Sequence, residues 1–202
     1  MYRSKTGALD KAEAAANRSI DAAAVILGWK TMGYTLAPTL LEVYLANHDD
    51  GYEYRFSADE VWQITRDPAV KKAITACQES VKDQARADPQ IGIIREVTSP
   101  WEGGVEPEDD DVRAAVGHFD VAVGADVTVR QTGDGSGLEA EIDYKIYLHD
   151  FYNFDLLERE RLSLNIGVDI NNEMRQLEEA GWARSYRSKG ETEIRKGWKA
   201  TL

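Results

Sequence analysis

The sequence predicts an α+β protein, with helices dominating residues 1–88 and an antiparallel sheet, built on a long central hairpin with a C-terminal packing helix, in residues 89–202. Three observations predict it. Helix caps and helical spacing recur in the first part, strict two-residue alternation begins near His118, and a last amphipathic helix pattern closes on Gly181.

The first helix is expected over residues 10–30, with Asp10 as its N-cap and Ala12, Ala15, Ala16, Ile20, Ala23, Ala24 and Leu27 at helical spacing. Leu36, Leu40, Leu41, Val43, Tyr44 and Leu45 predict a second, shorter helix opened by Pro38. Asn47 to Gly51 ends it with turn chemistry. Tyr52, Tyr54 and Phe56 alternate with Glu53 and Arg55, the pattern of a short strand. Ser57 and Glu60 form a capping box, in which hydroxyl and carboxylate satisfy the first free N–H groups of a helix running to about Thr65. Asp67 as N-cap and Pro68 in the first turn open another helix that runs to about Ala87.

Ile91, Ile93, Ile94 and Val97 predict a strand. Residues 100–111 read as a solvated connector holding six acids, without the alternation by which one loop wraps calcium. In the hairpin, Phe119, Val121, Val123, Ala125, Val127 and Val129 share one face. Leu138, Ala140, Ile142, Tyr144, Ile146 and Leu148 must meet them across the reversal at Gly133 to Gly137. Two registers satisfy that requirement. One sets Asp120 opposite His149 and Arg130 opposite Glu139; the other sets His118 opposite His149. Beyond the hairpin, Leu162, Leu164 and Ile166 form a short apolar piece. Ile170, Met174 and Leu177 predict a helix from about Asp169, with Trp182, Ala183 and Tyr186 docking after its end.

Charge is unevenly divided. The formal net charge is −12; residues 1–88 carry 11 Lys/Arg and 13 Asp/Glu, whereas residues 89–202 carry 13 and 23. A basic nucleic-acid face is therefore disfavoured, and the acidic second half fits a soluble domain, a cation site or a basic protein partner. Cys77, the one cysteine, lies on an apolar helix face and reads as a buried thiol. No apolar run has the length of a transmembrane segment, and no Sec-type signal peptide is legible. Localisation is expected to be cytoplasmic, or outside the cell by a route without such a peptide.

The densest chemistry lies in His149-Asp150-Phe151-Tyr152-Asn153-Phe154-Asp155, at the end of the hairpin. His149, Asp150, Tyr152, Asn153 and Asp155 are the candidate catalytic residues, because carboxylates, an imidazole and a phenol support general acid–base work or metal binding. The same residues suit a structural corner, where Asn and Asp satisfy a turning backbone. Nothing reads as a phosphate loop, a paired-cysteine zinc site or a nucleophile elbow. Any metal or cofactor, and the oligomeric state, are left unassigned.

Gly117-His-Phe-Asp-Val, the hairpin, Asp150-Phe-Tyr-Asn-Phe-Asp155 and Leu177-Glu-Glu-Ala-Gly-Trp-Ala-Arg-Ser-Tyr186 together resemble a C-terminal module of bacterial polymorphic-toxin-type secreted proteins. That family carries an Asp-x-Tyr-Asn-aromatic-Asp motif after a strand. The resemblance covers residues 112–190 and implies an effector-type domain with no established reaction. Asp150 and Tyr152 are also similar to the strand-borne motif of colicin M-like hydrolases of the lipid-linked peptidoglycan precursor. Asn153 stands where that motif has a second acid, and Arg159-Glu160-Arg161 follows where it has His-Arg. The alternative of a different class is an acidic, immunity-like or scaffold protein that binds a basic protein partner.

Overall fold

The computed structural model describes residues 22–154 and 166–202. Six helices are described: α1 (Ala23–Thr31), α2 (Leu36–Leu45), α3 (Ala58–Thr65), α4 (Pro68–Ala87), α5 (Asp110–Val116) and α6 (Ile166–Glu179). Seven strands form one mixed sheet: β1 (Glu53–Arg55), β2 (Ile94–Thr98), β3 (Glu102–Val105), β4 (Phe119–Gln131), β5 (Leu138–Tyr152), β6 (Tyr186–Glu191) and β7 (Arg195–Thr201). Their order is β1-β6-β5-β4-β2, with β3 also pairing β4 and β7 pairing β5. The α+β class is thus as the sequence predicts. The start of the first helix at Asp10 and the piece at Leu162 and Leu164 lie outside the described residues.

By compactness the chain divides into two units, Met1–Tyr54 with Ala114–Val116 and Phe151–Arg187, and Arg55–Arg113 with Gly117–Asp150 and Ser188–Leu202. In the first, α2 buries Leu36, Leu40, Leu41 and Tyr44. The Tyr44 hydroxyl donates to the carbonyl of Met174 at 3.0 Å, on α6, and Arg184 N–H donates to the Tyr44 carbonyl. α6 buries Met174 and Leu177 and stops at Gly181, whose φ of 78° is the left-handed geometry of a helix end.

In the second unit α3 opens on the complete capping box of Ser57 and Glu60. α4 buries Val70, Ala73, Ile74, Cys77, Val81 and Ala85. The Cys77 thiol donates to the carbonyl of Val121 at 3.7 Å, which lays the helix on the β4 face carrying the buried Val121, Val123, Val127 and Val129. The hairpin takes the first register: Asp120 opposes His149 and Arg130 opposes Glu139. Burial follows parity along both strands, as a sheet covered on one face requires, with Ala122, buried on the other face, as the exception.

Two expectations are corrected. The acidic stretch over 100–111 is not a plain connector, because β3 and the start of α5 lie within it. Asp67, buried at 2% exposure, explains its ordering. One carboxylate oxygen caps α4 by accepting from Ala69 and Val70 N–H, and the other accepts from Glu108 and Asp109 N–H at 2.9 and 2.8 Å. Asp109 in turn caps α5. The helix α6 is also not the final element, since the chain after it forms β6 and β7, and β7 pairs β5 on the side away from β4.

Candidate functional site

Along β5, parity separates the nominated residues. His149 is exposed and Asp150 is buried, then Phe151 is exposed and Tyr152 buried. In the second unit, the Asp150 carboxylate accepts a hydrogen bond from the Ser188 hydroxyl on β6 at 3.3 Å. His149 meets the ring of Trp101 edge-on at 6.2 Å. Its cross-strand partner Asp120 accepts from the backbone N–H of Gly104 at 3.3 Å, so that carboxylate holds the bulged turn of β3.

In the first unit, Tyr152 is packed in an aromatic group. It stacks on Tyr186 at 5.1 Å and 12°, and meets Phe154 and Tyr44 at 5.5 and 5.8 Å. Burial, with the Glu178 carboxylate beside it, pushes the Tyr44 phenol far above its usual range, so it stays a protonated donor. Asn153 is exposed, and Asp155 lies outside the described residues. Phe151 lines an open cleft of about 390 Å³, together with Asn47, Asp49, Tyr52, Arg184 and Ser185 among others. The Arg184 guanidinium there is engaged with Asp50 at 2.5 Å. Glu178 is occupied too, accepting from Ser185 N–H and hydroxyl. Among the described residues, no three His, Cys, Asp or Glu side chains are grouped so as to hold a metal ion.

A different feature stands on the sheet of the second unit. On the face opposite α4, β2, β4 and β5 bring Glu96, Asp126 and Asp143 directly opposite one another, in one row across three adjacent strands. Side chains so paired have Cβ atoms about 4.5–5.5 Å apart, and like charges in that position destabilise a sheet. Two cations on β4 and β5 are engaged with other acids. Arg130 pairs with Glu141 at 3.5 Å, and Lys145 pairs with Glu191 at 2.8 Å, a hydrogen bond that holds the Lys145 ammonium above its usual pKa. Asp143 accepts a backbone N–H from Gly197 at 2.8 Å; among the described residues none of the three acids has an ion-pair partner. Beside Glu96 on the same face, Ile94 is 70% exposed.

Sequence reasoning passed over this row although half of it was available. The register that sets Asp120 opposite His149 necessarily sets Asp126 opposite Asp143. Glu96 required the pairing of β2, which short strands do not announce. In comparisons with family models, curated proteins and solved structures, nothing matches this chain.

Proposed function

We propose that this protein acts by binding, as an acidic domain whose ligand is a basic segment of another protein held on the open face of the sheet. The observation that carries this reading is the row Glu96, Asp126, Asp143, set in register with no ion-pair partner among the described residues. Two direct like-charge pairs cost the folded state roughly 0.2–1 kcal/mol each. Lysine or arginine side chains from a ligand would convert that repulsion into attraction, and the net charge of −12 would steer such a ligand to the protein. The alternative, effector chemistry centred on Asp150, has less support because that carboxylate is buried and accepts from Ser188.

Calorimetric titration with oligolysine tests the proposal. Wild type is expected to bind with strong salt dependence, and the double variant Asp126→Asn/Asp143→Asn to bind more weakly than Glu79→Gln/Asp83→Asn, which removes the same charge from the outside of α4. Equal affinity for the two variants would reduce the interaction to general attraction and overturn the reading.

A further inference from the structure

The acidic row runs to the margin of the sheet. β2 is the terminal strand of the order β1-β6-β5-β4-β2, and among the described residues no strand pairs with its outer side. The direction of its backbone groups follows from one bond. Ser99 N–H donates to the carbonyl of Val123 at 2.8 Å, so in this antiparallel ladder Val97 and Arg95 also turn their backbone groups toward β4. Ile94, Glu96 and Thr98 therefore turn theirs outward. The Thr98 carbonyl agrees, since the Gln84 side chain reaches it at 3.1 Å from α4. Ile94 and Glu96 keep an open edge.

Proteins ordinarily blunt such edges with lysine, proline or a bulge. β2 has neither lysine nor proline, and its one cation is turned away: the Arg95 guanidinium donates to the Asp88 carbonyl and carboxylate at 2.9 and 2.8 Å. The approach to the strand is also apolar, with Ile91 54%, Ile93 58% and Ile94 70% exposed. An open strand edge, exposed isoleucines and an acidic row ending on Glu96 coincide on one element.

We infer that the basic ligand, if the reading above holds, binds as an added β-strand along β2, with a lysine or arginine opposite Glu96 and an apolar residue two positions away opposite Ile94. The outward N–H and carbonyl groups of Ile94 and Glu96 supply main-chain bonds, and the side-chain pair sets the register. The partner is a protein segment of extended conformation and alternating pattern. A second copy of β2 fits less well, because centring the strand on itself antiparallel would set Glu96 against Glu96.

The probe is a capped Thr-Lys-Thr-Lys-Thr-Val-Thr peptide, compared with the same peptide N-methylated on the second lysine and the valine. Methylation leaves every charge in place and removes the N–H groups that face β2. The plain peptide is expected to bind at least about tenfold more tightly, from two lost hydrogen bonds, and to slow hydrogen exchange at the Ile94 and Glu96 amides. Equal binding of both peptides would overturn strand addition while leaving the acidic-face reading intact. Binding of neither peptide, nor of oligolysine, would overturn both.

Discussion

Replacing Asp126 by Asn should make the folded protein more stable. Asp126 is exposed on β4 and has a carboxylate directly opposite on each side, Glu96 on β2 and Asp143 on β5. Each like-charge cross-strand pair costs a few tenths to 1 kcal/mol, so relieving both gives about 0.5–2 kcal/mol. The carboxamide has the same shape, which leaves packing unchanged. With a urea m-value of about 2–3 kcal/mol per M, the unfolding midpoint should rise by roughly 0.2–0.7 M at low salt. The gain should shrink in ~1 M salt, where the screening length falls to about 3 Å. Oligolysine binding should weaken in the same variant, a rise in stability with a loss of affinity. An unchanged or lowered midpoint at low salt would refute the claim that the row is held against repulsion.

Three further outcomes follow from other elements. Asp67→Ala removes the acceptor of four backbone N–H groups, capping α4 and holding residues 108 and 109, and should cost about 2–4 kcal/mol in urea unfolding; a loss below about 1 kcal/mol would contradict the clamp. Gly190→Ala would bring a Cβ to 2.8 Å from Val61 Cγ2 and 3.0 Å from Phe56 Cβ, and should cost about 1–3 kcal/mol, whereas Gly133→Ala, with open space around it, should be near neutral. The Asp134 carboxylate accepts from the Thr132 hydroxyl and from Ser136, which lowers its pKa to about 2. Because the folded value lies below the unfolded one, its contribution is present above the ordinary carboxylate range and is lost only as pH falls toward 2. A carboxyl NMR titration placing Asp134 near 4 would show the turn at Gly133 to Gly137 to be held otherwise.

How much was legible in the sequence depended on whether the signal was local. The Ser57 capping box and the Asp67-Pro68 start were readable to the residue, since cap chemistry is satisfied within one turn. In the hairpin the facing of the strands was readable, because a slip by one residue would have turned Val121 and Ile146 to solvent, but parity left two registers open, and the structure takes the one that sets Asp120 opposite His149. Failures came where distant backbone decides. The clamp that Asp67 places on residues 108 and 109 spans some forty positions, and only one of its two functions, the helix cap, leaves a local pattern. Strand β7 carries alternation broken by an irregularity between Ile142 and Tyr144 of its partner, so its periodicity was hidden. The candidate site at His149 to Asp155 was found as a segment, yet parity alone sends Asp150 and Tyr152 to the buried side and His149 and Phe151 to the exposed side.

Amide chemical-shift mapping during titration with oligolysine distinguishes a ligand on the acidic row from one in the cleft at Phe151. The account predicts the largest changes at Glu96, Asp126 and Asp143 and their immediate neighbours on β2, β4 and β5, suppressed by added salt. Changes centred on Phe151 and Arg184, or no localised change, would contradict it.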